Sequence, residues 1–146
     1  TPGDYLDRCP GGQGVAEPAH SSWGYEGYAD FWLDGANHWL YRHLHGCGRQ
    51  MIRLAANPPG PELERALNQA ARELLLAQSS DWAFILKTGT AWEYAHRRVH
   101  QHLGRFRRIA TALQEGRLPD PAWLAQVEAA DNLFPHLDYR VFVETG

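Results

Sequence analysis

Apolar positions along the chain fall into stretches with a helical period, preceded by an N-terminal stretch with none. The first helix is expected from about Gly35 to Ala56, where Trp39, Leu40, Leu44, Met51 and Leu54 form one stripe. Asn57-Pro58-Pro59-Gly60 stops it. A second spans about Pro61 to Gln78, with Leu63, Leu67, Ala70, Ala71, Leu74 and Leu75 at spacings of three and four. A third opens on Thr90 and Glu93, the T-x-x-E pattern of a capping box. Trp92, Ala95, Val99, Phe106, Ile109 and Leu113 then mark its inner face, and Gly116 offers a left-handed stop. A fourth starts at Asp120-Pro121, a cap followed by Pro in the first turn, and ends before Pro135. Trp82 to Leu86 reads only as a short apolar run, and Leu137 to Val143 as an extended segment.

The first 34 residues are different. Thr1-Pro2 suits a short helical turn through Leu6 or Arg8, and Pro10-Gly11-Gly12 breaks it. Ala16 to Phe31 then reads as a long loop, and Trp23, Tyr25, Tyr28, Phe31 and Trp32 argue that it is ordered. The expected fold is all-α: a bundle of about four main helices over residues 35–146, decorated by a long aromatic N-terminal loop over residues 1–34. The opening Thr1-Pro2-Gly3-Asp4 reads as the continuation of a longer polypeptide.

Composition narrows the function classes. Hydrophobic residues make up 44% and charged residues 21% of 146, the balance of one folded domain. A net charge of −3 argues against nucleic acid as a partner. No apolar run approaches the roughly 20 residues of a membrane span. Two cysteines make no disulfide scaffold, and a reducing cytoplasmic setting is expected.

No catalytic centre emerges from spacing. On a helix, His43, His45 and Cys47 diverge by about 200° per step and cannot share a metal. His96 and His100 do share a face, but Arg97 stands where a zinc helix carries its glutamate, so no metal and no cofactor are expected. Arg97, Arg98, Arg105, Arg107 and Arg108 read as a solvated helix face or a docking surface. Glu26, Asp30, Asp34 and Asp81 contain no pair that spacing singles out for glycosidic cleavage. Ser21 and Ser22 lack a nucleophile-elbow context. Trp23 and Trp32 remain, as flat, electron-rich platforms for sugar rings or as plain core.

The run Ala19 to Trp32, ending S-S-W-G-Y-E-G-Y-A-D-F-W, with Leu33 to Leu44 after it, resembles the fifth conserved region of glycoside hydrolase family 57. The block R-A-L-N-Q-A-A-R-E-L-L-L-A-Q-S-S-D-W-A-F-I-L-K-T-G-T-A-W-E-Y-A, Arg65 to Ala95, is similar to the helical C-terminal part of that family's 1,4-α-glucan branching enzymes. The likeness continues through Phe134-Pro135-His136-Leu137-Asp138-Tyr139-Arg140. The resemblance implies a retaining transglycosylase of glycogen biosynthesis, whose nucleophilic glutamate and acid/base aspartate sit on an upstream (β/α) barrel. This chain then holds no catalytic residue and is inactive alone. The resemblance puts Trp23 and Trp32 on glucan-binding tryptophans and Asp81 on an acidic position facing the cleft, with α-1,4-glucan as partner and Trp39 and Trp82 as core supports. It also sets off two departures: Glu26 where a small residue is common, and Gly46 and Gly48 in a segment expected to be Glu- or Ala-rich, which weaken that turn. A family 57 amylase or 4-α-glucanotransferase shares the chemistry. A helical docking module without substrate contact is the reading from another class.

Overall fold

The computed structural model describes residues 1–12, 14–58 and 60–143. Among them are six α-helices and no strand: α1 Pro2–Arg8, α2 His38–Ala56, α3 Glu64–Ala77, α4 Ser80–Thr88, α5 Trp92–Gln114 and α6 Pro121–Ala130. Short 3-10 turns at Pro61–Leu63 and Tyr139–Phe142 complete the set. None of the helices is long and apolar enough to cross a membrane.

The core forms where the stripes predict. α3 packs most extensively on α5, with α2 and α4 also on α5 and α2 on α3. Leu67 and Leu74 of α3, Leu103, Phe106, Ile109 and Leu113 of α5, and Leu40 and Met51 of α2 are all buried. Burial of each such side chain contributes about 1.5–3 kcal/mol. α2 runs unbroken through Gly46 and Gly48, because Leu40, Leu44, Cys47, Met51 and Leu54 hold it on the core from both sides of the glycines. α6 starts as expected: the Asp120 carboxylate accepts from the Trp123 amide at 2.7 Å. Gly116 takes a left-handed φ of +67° after α5.

Four local expectations are corrected. Trp82 to Leu86 is not merely an apolar run but the body of helix α4, whose Trp82, Ala83 and Leu86 enter the core. The Thr90–Glu93 capping box does not form. α5 begins from Ala91 with no side-chain cap, and the Thr90 hydroxyl lies 3.1 Å from that of Thr88 instead. Trp92 leaves the inner face and is 45% exposed. Leu137 to Val143 is not extended: the Asp138 carboxylate accepts from Arg140 N at 2.9 Å, and Asn68 Oδ1 accepts from Tyr139 N at 2.8 Å. Together these curl the chain and bury Tyr139.

Polar groups thread the core beside α3. His102 Nδ1 lies 2.7 Å from Glu73 Oε2, and Gln69 Nε2 donates to Glu73 Oε1 at 2.9 Å. Arg72 donates to Gln69 Oε1 at 3.1 Å and to the carbonyls of Leu133 and Pro135, each at 3.0 Å. Asp131 is held by Arg105 and, at 3.6 Å, by Arg98. Burial pushes the Glu73 carboxyl up, against the lowering by His102 and Gln69.

Two outcomes follow for stability. A Cβ added at Gly46 or Gly48 meets no atom within 4 Å beyond the helix's own backbone. Gly46→Ala and Gly48→Ala should therefore each stabilise by about 0.5–1 kcal/mol in thermal unfolding. Glu73 is protonated more readily folded than unfolded, so its contribution is complete below the ordinary value of 4.5 and is lost as pH rises through the raised one. Glu73→Gln, fixed neutral with an acceptor oxygen retained, should gain on the wild type in melting temperature as pH rises from about 4.5 to neutrality. A difference that does not change with pH would refute this account.

Candidate functional site

The aromatic segment is shaped by its own backbone hydrogen bonds. Ser22 N donates to Gly27 O at 2.6 Å and Gly27 N to Gly24 O at 3.0 Å. The Ser22 hydroxyl, far from any nucleophilic setting, accepts from Ala29 N at 2.5 Å. Gly24 has φ +80°, and a Cβ there would sit 2.7 Å from a Phe31 ring carbon, so the Phe31 ring lies directly on the turn. Tyr25 and Ala29 take positive φ as well, at 47° and 65°, a strained conformation that persists only where the surroundings impose it.

That turn presents an aromatic corner. The rings of Trp23 and Trp32 stand 6.0 Å apart at 72°. Phe84 of α4 lies 5.9 Å from Trp23 and 5.0 Å from Phe31. Trp32 is half-buried, and its carbonyl accepts from Tyr41 Oη at 2.5 Å. Trp23 is 68% exposed. Together Trp23, Trp32, Ser80, Asp81 and Phe84 line an open pocket of about 260 Å³. All three residues singled out in the sequence, Trp23, Trp32 and Asp81, thus meet in one place. Asp81 is exposed at the start of α4, where its Oδ2 accepts from Ser79 Oγ at 2.8 Å.

The residue joining the two halves of the pocket is Asn37, and sequence reasoning missed it. Its side chain is fully buried. Nδ2 donates to Phe31 O at 2.8 Å and to Ala83 O of α4 at 3.0 Å. Oδ1 accepts from Asp34 N at 3.0 Å. Asn before an apolar helix signals a cap, yet this amide caps nothing and ties loop to α4 instead. Lys87 of α4 adds a second tie, 2.5 Å from Asp34 Oδ2, and holds the Asp34 carboxyl below its usual range.

Other candidates resolve differently. Trp82 is buried, its indole N–H donating to Leu76 O at 2.7 Å, whereas Trp39 is half-buried against the edge of the core. The five arginines of α5 are engaged within the domain. Arg98 and Arg105 hold Asp131, Arg97 lies over Tyr94, Arg107 reaches His43, and Arg108 stacks 3.9 Å over Trp123. Glu73, His102 and Asp131 bring ligand atoms within 4.8 Å, but two guanidinium groups already neutralise Asp131, which makes this a charge network and not a cation site. His96 and His100 do meet, with Nε2 atoms 3.1 Å apart. Partial desolvation against the neighbouring rings, then the charges of His96, His43 and Arg107, lower the pKa of the exposed His100. A wider depression of about 740 Å³ beside Trp92, Glu93, Tyr94 and Arg97 holds none of the three predicted residues.

Breaking the Asn37 knot tests the site's construction. Asn37→Asp keeps shape and acceptor but sets a carboxylate against two carbonyls. It should cost about 2–5 kcal/mol of stability and raise the mobility of Trp23 and Trp32, read as a loss of fluorescence anisotropy. Retention of both properties would show that the loop is held elsewhere.

The family model for 1,4-alpha-glucan branching enzyme, C-terminal, matches residues 43–142. A 1,4-alpha-glucan branching enzyme of Thermococcus kodakarensis is 32% identical over 136 residues, which are 89% of this chain and 20% of that protein. The crystal structure of a GH57-type branching enzyme from the archaeon Pyrococcus horikoshii superimposes with a TM-score of 0.86 at 31% identity, covering 99% of this chain and 28% of that one. An alpha-amylase of Thermotoga maritima superimposes with a TM-score of 0.77 at 39% identity, covering 100% of this chain and 26% of that one. The chain spans a fifth or less of the length of the curated relatives it matches, 20% of one and 15% of another.

Proposed function

The chain belongs to the family of C-terminal domains of GH57-type 1,4-alpha-glucan branching enzymes, and from that premise we propose that it forms one wall of a glucan-binding cleft. In this reading the reacting groups lie on an upstream (β/α) barrel of the same polypeptide. The observation that carries it is the meeting of Trp23, Trp32 and Asp81 around one open pocket. Two indoles at 72° offer a floor and a side to a pyranose ring, each stacking contact contributing, by analogy with an aromatic pair, about 0.5–1.5 kcal/mol. Asp81 and Ser80 accept from and donate to the sugar's hydroxyls at the same rim. The volume, about 260 Å³, lies just under the roughly 300–1,000 Å³ of ligand pockets. That suits one glucosyl unit, with the chain continuing over the rim.

The parent reaction is a retaining transglycosylation. A barrel carboxylate displaces the α-1,4-linked leaving glucan, whose oxygen takes a proton from a second carboxyl group roughly 5–5.5 Å away. That group then takes the proton of the incoming hydroxyl as the hydroxyl oxygen displaces the carboxylate. The incoming group is the 6-hydroxyl of an acceptor glucan, which gives an α-1,6 branch in cytoplasmic glycogen synthesis. Water competes at the intermediate. An acceptor held on Trp23 and Trp32 raises the local concentration of the hydroxyl and excludes solvent, so these side chains favour transfer over hydrolysis.

The similarity to an alpha-amylase supports a second reading, in which the same wall serves hydrolysis. One assay addresses both: the full-length enzyme is incubated with amylose, and α-1,6 linkages are counted against new reducing ends. Branching predominates in the first reading and reducing ends in the second. Because Trp23 is largely exposed, Trp23→Ala should leave the melting temperature nearly unchanged. It should lower branching kcat/KM about 2- to 12-fold and shift products toward hydrolysis, and Trp32→Ala should act in the same direction. Unchanged rate and product ratio in Trp23→Ala would remove the pocket from the cleft.

A further inference from the structure

On the outer side of α5 and the start of α2, an imidazole pair is built between two indoles. We propose that His96 and His100 form a chelating site for a divalent transition-metal ion of borderline softness, such as Zn²⁺, Cu²⁺ or Ni²⁺. The spacing of four residues puts both rings on one helix face. The ring centres are 4.3 Å apart at an interplanar angle of 54°, while the Nε2 atoms are only 3.1 Å apart. The rings therefore splay, and their nitrogen ends converge. With metal–nitrogen bonds of about 2.05 Å, two nitrogens 3.1 Å apart subtend about 98° at the ion. That angle lies between the octahedral and tetrahedral values.

The pair is also held in place. Trp92 stacks on His96 at 4.6 Å and 18°, and Trp39 stacks on His100 at 5.4 Å and 11°. The Trp39 ring is itself fixed, its indole N–H donating to Ala36 O at 3.2 Å. Both imidazoles are thus oriented before an ion arrives, which lowers the ordering cost of chelation. The ion replaces the hydrogen bond between the two Nε2 atoms, and the donor ring's proton moves to its Nδ1. Imidazole selects Zn, Cu and Ni over Mg²⁺ and Ca²⁺, which take oxygen. His43 is no third ligand, because its Nδ1 faces an Arg107 nitrogen at 3.0 Å. His100 is exposed, so water completes the coordination sphere. The absence of an adjacent glutamate, which argues against a catalytic zinc helix, does not bear on a two-imidazole site open to solvent. The site does not depend on the glucan reading.

The test is copper titration of the untagged full-length protein, followed by isothermal calorimetry and electron paramagnetic resonance. His96→Gln, His100→Gln and, as a control on the exposed face of α2, His45→Gln are compared with the wild type. Gln keeps helix propensity, and circular dichroism checks the fold. The wild type and His45→Gln should show a copper species coupled to two imidazole nitrogens. Either α5 substitution should abolish that species and weaken the matching affinity about 100-fold, the loss expected when a chelate becomes a single ligand. A two-nitrogen species that survives both substitutions, or is absent from the wild type, overturns the proposal.

Discussion

One buried carboxamide fixes the relation between the aromatic loop and the helices. Asn37 bonds at once to Phe31 O in the loop, Asp34 N in the turn before α2, and Ala83 O in α4. A buried amide so satisfied is specific in a way that apolar contact is not, since each unmade bond would cost about 1–3 kcal/mol. The pocket residues come from sequence positions far apart, Trp23 and Trp32 on one side and Asp81 and Phe84 on the other. A tie between loop and α4 gives them a fixed mutual geometry, and Asn37 and the Lys87–Asp34 pair supply its polar part beside the packing of Phe84 on Trp23 and Phe31.

Below that tie, the bundle divides its labour. Apolar stripes on α2, α3 and α5 supply the bulk of the stabilisation, while the string from Arg72 through Gln69 and Glu73 to His102 sets register. Arg72 reaches the carbonyls of Leu133 and Pro135, so the segment after α6 is pinned by α3 and not by its own secondary structure. Glu73 accepts a desolvation cost in return for this order, and the upward displacement of its carboxyl is the trace of that cost.

The long amphipathic helices were legible because their periods are sustained: of the stripe Trp92, Ala95, Val99, Phe106, Ile109 and Leu113, all but Trp92 are buried. Helix α4 was not. Within nine residues it carries Trp82, Ala83, Phe84, Ile85 and Leu86 in succession, and a helix apolar on nearly all sides shows no period to read. The 3-10 turn at Tyr139–Phe142 was hidden because Asn68 and Asp138 create it, the former from 71 positions away. In the pocket, Trp23 and Trp32 stood out by residue type but were equally readable as core, and the family resemblance decided for a cleft and added Asp81. Asn37 left a signal that pointed to a helix cap and away from its tertiary role. The partnership of His102 with Glu73, 29 positions apart, left none.

The distribution of exposed aromatic surface carries the functional argument one step further. Trp23, Tyr25, Tyr28 and Leu33 are each about 70% or more exposed and belong to one loop, although buried aromatics dominate core energetics. Scattered singly, such residues need no explanation, but a contiguous group marks a surface that meets something. Mere lack of burial would leave such a loop free to collapse. This one instead is wired by Ser22, Gly24, Gly27 and Asn37 into a shape that includes strained residues at Tyr25 and Ala29. Strain maintained to keep Trp23 and the neighbouring tyrosines open to solvent is intelligible when the open faces are used, and the use proposed above is to receive a flat-faced, hydroxyl-rimmed ligand beside the Asp81 carboxylate.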